Sequence, residues 1–382
     1  MIGVRIIVVG SGVIGLLTAM ECARAGAQVS LVDQGEIPSP WATSYDSQRV
    51  VRALHAGDAV LTRSAARLHD AWLDVERRTG VPFYHQVGSL TALPPHEARK
   101  NLVMLREAGV PARVLSPGDL ADRYRSVRFR EDHTAILEPT AGVVLADRAL
   151  TAIADCLRGM RAVELHPGRE VVSVDERGGV QFADGTGLTG DRVVLATGPW
   201  SRQLLPAALT GELTLYRQSI LSYSPVPSRI AWVGTPAIPS LGTSQGAWLI
   251  PPVGGTPVRL SAAGACRAVA ELTDRETPAS WRDHLVDHFS TLLVGFDPAA
   301  VIGARDGYYL ADTAGAGPLL ATFGDETTWA YAACGGMSFK FAPLVAGAVA
   351  DRVLARTPRR TGLDFIDRPR RLTDARREEM TP

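Results

Sequence analysis

The feature that most constrains the fold is a glycine turn near the N-terminus. An apolar run, Ile6-Ile7-Val8-Val9, meets Gly10-Ser11-Gly12-Val13-Ile14-Gly15, a helical pattern follows, and then comes Val29-Ser30-Leu31-Val32-Asp33. This order predicts strand, tight turn, helix, second strand and a closing acid, the unit that binds the ADP half of a dinucleotide. Gly10 permits the turn, Gly12 lets the backbone approach a pyrophosphate, and Gly15 lets the helix lie close to the strand. Ser11, Val13 and Ile14 complete a helix start whose unpaired N–H groups and positive dipole end suit phosphate. Asp33, eighteen residues after Gly15 and followed by Gln34, is placed to accept hydrogen bonds from ribose hydroxyls. A carboxylate there repels a 2′-phosphate, so FAD or NAD is expected rather than NADP.

Spacing alone is a weak signal. Gly185-Thr186-Gly187-Leu188-Thr189-Gly190 repeats it but leads into Arg192-Val193-Val194-Leu195 with no helix, and reads as a loop between strands. Arg5 before an apolar segment and Ala23-Arg24-Ala25 loosely imitate a signal peptide, but the immediate return of a second strand argues against one. The chain has 382 residues, enough for two domains or one domain with a large insertion. Acids and bases balance at 40 each, so no global field recruits nucleic acid or anionic membrane. No apolar run reaches the length of a membrane span. Cys22, Cys156, Cys266 and Cys334 form no CxxC, which leaves no zinc or other metal site and points to a reduced, cytoplasmic protein.

A helix is expected from Asp58 to about Thr79, with Val60, Leu61, Ala65, Leu68 and Trp72 on one face. Strand 88–93, helix 95–108, a helix capped by Asp147, and strands at 170–174, 180–182 and 192–196 follow. Residues 216–293 read as strand pieces broken by proline and glycine, ending in a helix from Pro278. A final helix carries Pro343, and the arginine-rich tail after Arg356 reads as solvated. The fold class is therefore α/β, in the sense of two α+β domains. Residues 1–82, 143–215 and 303–382 form a Rossmann-type domain, with an antiparallel-sheet substrate domain inserted as 83–142 and 216–302. Lys340 is one of only two lysines and stands between Phe339 and Phe341. A compact ammonium there is costly to desolvate unless it meets an anion, which makes it a candidate functional group. A stem on apolar surface with its head in solvent is the plainer alternative.

Four blocks, GSGVIG with Asp33, Arg49-Val50-Val51-Arg52, Ala196-Thr197-Gly198-Pro199-Trp200 and Gly335-Gly336-Met337-Ser338-Phe339-Lys340-Phe341, carry a resemblance that spans nearly the whole chain. In this order they resemble the FAD-dependent amine oxidases of the D-amino acid oxidase superfamily, in the branch of monomeric sarcosine oxidase and N-methyltryptophan oxidase. The resemblance implies a glutathione-reductase-type FAD domain, with pyrophosphate at Gly10 to Gly15, ribose at Asp33 and adenine near Val171 and Val172. Ser44 and Arg49 would lie beside the isoalloxazine, Thr197, Gly198 and Trp200 would line the cofactor, and Gly336, Met337, Ser338 and Lys340 would face the flavin. Arg52 and Lys340 would hold a substrate carboxylate, and Arg259 would stand where the family has a lysine associated with oxygen activation. Gly307-Tyr308-Tyr309 lacks the cysteine that attaches FAD covalently in some members, so noncovalent FAD is expected.

The implied reaction is oxidation of the C–N bond of a small secondary or cyclic amine or amino acid to an imine, with molecular oxygen reduced to hydrogen peroxide. Arg49, Arg52, Lys340 and Arg259 are the candidate catalytic residues, and Trp248, Tyr308 and Tyr309 a candidate aromatic wall for the substrate. No residue stands out as a general base, and His55 reads as structural. Another electron acceptor, an NAD-only dehydrogenase and a non-catalytic FAD-binding module remain as alternatives.

Overall fold

The computed structural model describes residues 3–175, 177–224, 232–313 and 317–372. The N-terminal unit forms as its sequence requires. Strand β1 (Arg5–Val9) runs parallel to β2 (Gln28–Val32), joined by helix α1 (Val13–Arg24). Ile6 to Val9 are all buried, because a parallel sheet covered on both faces needs an unbroken apolar run rather than alternation. Gly10 has φ +101°, and a Cβ on Gly15 would stand 1.8 Å from the Gly10 carbonyl oxygen. The helix can sit on the turn only because Gly15 has no side chain.

β1 is an interior strand of a seven-stranded sheet ordered Arg370–Arg371, Leu319–Phe323, Thr328–Ala333, Arg192–Leu195, β1, β2, Val163–His166. The largest core lies on one face, where α1 meets the long helix Ser338–Val353. A second core, on the other face, joins Ile7, Val9 and Val193 to the small sheet of Val171–Val174, Gly179–Phe182 and Gly187–Thr189. The second glycine repeat falls in this hairpin, and part of what reads as a loop is a short strand.

A nine-stranded sheet forms the other half of the molecule. Its longest ribbon pairs Leu213–Tyr223 with Val301–Asp312, and the helix Ala279–Leu292 covers it with Leu285 and Phe289. This ribbon crosses the boundaries expected at 215/216 and 302/303 and carries Gly307 to Tyr309 in the inserted sheet. A short strand β3 (Arg49–Val51) pairs with Gly142–Val144 beside it.

Two local expectations differ from the structure. The helix expected from Asp58 to Thr79 is broken into Ala59–Ala65 and Leu68–Thr79. Asp58 caps the first piece by accepting from Leu61 N–H, Val60 turns outward at 58% exposure, and Thr62 and Ser64 are buried instead. The break at Ala66–Arg67 lets the second piece present Leu68, Trp72 and Val75 to the core. Leu145, not Asp147, is the N-cap of helix Ala146–Arg158, and Asp147 sits in its first turn. Among the described residues no helix is long and apolar enough to cross a membrane, no three or more metal-ligating side chains cluster, and the four cysteines are free. Residues 373–382 of the arginine-rich tail lie outside the described residues.

Candidate functional site

A cavity of about 370 Å³ runs from the glycine turn to the inserted sheet. At its nucleotide end Asp33 is buried and builds the loop, accepting from Ser11 N–H at 2.7 Å, Ser11 Oγ at 2.8 Å and Gly35 N–H at 2.9 Å. Ser44 Oγ accepts from Val13 N–H at 3.1 Å and so roofs the start of α1. A Cβ on Gly12 would come within 3.3 Å of that Ser44 oxygen and 3.7 Å of Ala42 Cβ. Bare backbone, a helix N-terminus and an adjoining wall of Arg169 and Val171 fit the ADP half of FAD.

In its middle the cavity passes between Thr197, Gly198 and Trp200 on one strand end and Gly336, Ser338 and Phe339 at the start of the long C-terminal helix. That start is held in place from behind. Trp72 Nε1 donates to the Lys340 carbonyl at 2.9 Å, and the Trp72 ring stacks on Phe339 with centroids 5.1 Å apart. Ser338 Oγ donates to the Cys334 carbonyl and is 2.6 Å from the buried Tyr331 hydroxyl.

At the sheet end a buried carboxylate joins two arginines. Asp46 accepts from Arg49 at 2.5 Å and from Arg259 at 3.0 and 3.1 Å, while Arg259 also donates to Ser222 Oγ at 2.5 Å. Burial alone would raise the Asp46 carboxyl, but the two guanidinium groups outweigh it and hold it well below the usual carboxylate range. Arg49 is fixed further by donating to the Thr43 carbonyl at 2.6 Å and lies 5.9 Å from the Phe339 ring centre. Trp248 and Tyr309 line the same end, and Tyr309 stacks on Tyr216 at 5.4 Å. Arg275 and Arg305 also line it. Arg275 donates to the Asp306 carbonyl at 2.9 Å and only at 3.4 to 3.5 Å to the carbonyls of Ala42 and Trp41. Burial, then Arg305, brings its guanidinium down to about 10.

The structure thus gathers Gly10, Ser11, Gly12, Val13, Ile14, Asp33, Gln34, Ser44, Arg49, Val171, Thr197, Gly198, Trp200, Trp248, Arg259, Tyr309, Gly336 and Ser338 around one cavity. Six expected residues stand apart. Gly15 acts only through helix packing, and Met337 is the N-cap of the C-terminal helix with no place in the lining. Val172 alternates with Val171 along a strand and is 47% exposed. Tyr308, on the opposite face from Tyr309, is buried, with its hydroxyl 2.8 Å from Thr273 Oγ1 and donating to the Asp274 carbonyl at 3.0 Å.

Arg52 and Lys340 are the larger corrections. An offset of three along an extended strand puts Arg52 on the face opposite Arg49. It lines a smaller hollow with Glu138, His69 and Asp70. Lys340 follows Phe339 by about 100° around the helix and turns away from the cavity. It is buried, and burial and then Arg52 pull its ammonium well below its ordinary value, partly offset by Glu138. The Glu138 carboxylate accepts from Ala53 N–H at 2.8 Å and Leu54 N–H at 3.2 Å. His55 lies beside them, pushed down to about 2 by burial, Lys340 and Arg52, and is neutral. Sequence reading passed over Asp46, Gln48, Arg275 and Arg305. Asp46 and Gln48 flank Arg49 in the chain, so their proximity was a usable signal, whereas Arg275 arrives from a distant segment.

Comparison with known proteins bears on the family and the fold. Peroxisomal sarcosine oxidase of Mus musculus is 26% identical over 209 residues, covering 52% of this chain and 51% of that protein. Monomeric sarcosine oxidase of Bacillus sp. (strain B-0618) is 23% identical over 221 residues, 56% of each. The matches span about half the length of these relatives. The solved structure of NikD, an unusual amino acid oxidase essential for nikkomycin biosynthesis, superposes with a TM-score of 0.78 at 20% identity, covering 97% of this chain and 98% of that one. The L-proline dehydrogenase of P. horikoshii gives a TM-score of 0.77 at 20% identity, covering 93% and 94%. These likenesses establish the shared fold. The DAO family of FAD dependent oxidoreductases matches residues 5–352, which takes in the glycine turn, the nine-stranded sheet, all of the seven-stranded sheet but its Arg370–Arg371 edge strand, and the helix start at Ser338, and this chain belongs to that family.

Proposed function

We propose that this flavoprotein oxidises the C–N bond of a small secondary or cyclic amine or amino acid to an imine and passes the electrons to molecular oxygen, giving hydrogen peroxide. The observation that carries the reading is that one cavity joins the nucleotide turn to the Arg49–Asp46–Arg259 network and the Trp248–Tyr309 wall. Bound FAD would accept the hydride equivalent; the residues around it position the amine and place charge. Two cations on one anion leave a fixed positive charge that needs no reorganisation when negative charge develops nearby. The N-terminus of helix Ser338–Val353, presenting Gly336 and Ser338, adds its dipole at the cavity's middle. Asp46 is too firmly ionised, and His55 too far from protonation and outside the lining, to shuttle a proton here. The amine is therefore expected to bind already deprotonated.

With Arg52 and Lys340 turned away, Arg275 is the cation best placed to meet a substrate carboxylate, since its NH1 reaches backbone carbonyls only at 3.4 Å or more. Noncovalent FAD is supported by Cys334, the cysteine in the lining, whose thiol is pushed up to about 11 by burial and so stays protonated. Four free cysteines accord with a cytoplasmic setting. A second acceptor is kept as the alternative to oxygen because Arg259 is clamped by Asp46 rather than free to approach a new anion.

The test begins with colour. The purified protein should be yellow and release all its flavin on acid precipitation, and a panel of secondary and cyclic amino acids should bleach it without air. Oxygen uptake on re-admission separates an oxidase from a dehydrogenase. A yellow protein that no amine bleaches would be a binding module, and a colourless one that takes up no FAD would end the proposal.

A further inference from the structure

The sheet end of the cavity carries more positive charge than its own acids answer. Arg49, Arg259, Arg275 and Arg305 all line it, and Asp46 is shared by the first two. Asp306 is the other acid of that wall, but its side chain is buried on the opposite face of the strand Val301–Asp312. There it accepts from Arg217, from Arg267 at 2.9 Å and from Thr277 Oγ1 at 2.7 Å. Arg275 and Arg305 are left without an ion pair among the described residues. The Arg305 side chain donates only to the Pro40 carbonyl, at 3.4 Å, and Arg275 reaches the next two carbonyls, Trp41 and Ala42, at 3.5 and 3.4 Å. Glu276 stands opposite Arg305 across a single β-bridge, and its carboxylate makes no ion pair with it.

The two guanidinium groups therefore stand side by side along one stretch of backbone, and Arg305 is the strongest of the charges acting on Arg275. Both are open to a ligand. Arg305 is exposed at the rim of the cavity, on the same strand face as Gly307 and Tyr309, and Arg275 is half-buried beside it. A substrate with a single acid answers Arg275 and leaves Arg305 facing it with uncancelled charge. We propose that the substrate is an amino diacid, its first carboxylate held by Arg275 and a second, at the end of its side chain, by Arg305. Arg305 is then a specificity-determining residue, an assignment that rests on the amine-oxidation reading above. A guanidinium fork matches a planar carboxylate, and the group of arginines repels a cationic side chain at the same place. Because Arg305 is exposed, solvent screens the pair and the discrimination is several-fold rather than thousandfold.

The test compares N-methylglutamate with N-methylglutamine, which differ only in the charge at the end of the side chain, in anaerobic bleaching of the yellow protein. At low salt the wild type should favour the acid by about fivefold in kcat/KM, the worth of one exposed ion pair. Raising the salt to about 0.5 M should shrink that ratio. Arg305→Gln should bring the ratio to about one, Arg305→Lys should keep part of it, and Arg305→Glu should invert it. The last two also serve if Arg305→Gln does not fold. Equal use of acid and amide by the wild type would overturn the proposal, as would a preference for the acid that survives in Arg305→Gln. A loss in Arg305→Gln confined to FAD affinity, read from fluorescence recovery on dilution, would assign Arg305 to the cofactor phosphates and overturn it too. A wild type bleached by sarcosine or proline but by neither of the pair would sink this proposal alone. One that holds FAD and is bleached by no amine would count against the amine-oxidation reading itself.

Discussion

Asp46 shows how one side chain sets the character of the site. It lies between Arg49 and Arg259, both of which depend on it for a buried negative partner. Asp46→Asn leaves Arg259 buried without that partner, and unfolding in urea should show a loss of about 3–5 kcal/mol. The pH dependence has a definite sign. The folded carboxyl titrates below the unfolded value of 3.8, so its contribution is complete above that value and is lost as pH falls toward the folded one. Acid unfolding of Asp46→Asn should lack this component. Lys340 works the other way. Its folded ammonium is held below 10.5, so between the folded value and 10.5 the unfolded chain binds more protons and stability rises with pH. Lys340→Met should therefore exceed the wild type in stability at neutral pH, the gap closing toward pH 10.5, and thermal melts across that range would show it. Because Lys340 is outside the cavity, the same variant should keep FAD and most of its turnover.

Among the elements, the start of the C-terminal helix must be positioned in two respects. Gly336, Ser338 and Phe339 reach the cavity while Lys340 and Phe341 are turned into the core, so the helix must be fixed in rotation as well as in place. Trp72, fully buried, does both through its bond to the Lys340 carbonyl and its stack on Phe339. Trp72→Ala should cost about 3–5 kcal/mol by opening a cavity. It should also weaken FAD retention, measured as flavin lost in gel filtration. The break at Ala66–Arg67 that brings Trp72 inward has no glycine or proline to announce it. A 3.6-residue period read through that point places Val60 on the wrong side.

For the whole molecule, the site exists where the two sheets meet. Arg275 comes from the segment between the strand Cys266–Val269 of the inserted sheet and the helix Ala279–Leu292, and reaches the cavity by way of the Asp306 carbonyl. Arg275→Gln should raise KM for a carboxylate-bearing substrate by about tenfold, the lower end of a charge-assisted contact, and leave the decarboxylated amine unaffected. A parallel change for both substrates would remove Arg275 as the acid's partner.

The N-terminal unit was legible because every part of it is local: apolar run, glycines, helix period and Asp33 lie within 33 consecutive residues, and each has its own steric or electrostatic reason. The late Gly335-to-Phe341 segment and the Arg49 block were legible as motifs, and they do reach the site. Which of their side chains enter it was decided elsewhere. Period two along β3 separates Arg52 from Arg49, and helical rotation separates Lys340 from Phe339. The partners that fix Asp46, Gln48 and Arg275 come from segments some 200 or more residues away, or from the inserted sheet, and only sheet pairing brings them together. By itself the sequence determined a dinucleotide fold and the family to which the chain belongs. The tertiary structure decided which charges face the cavity, because side-chain direction follows from strand register and helix rotation, and those are set by packing between distant segments.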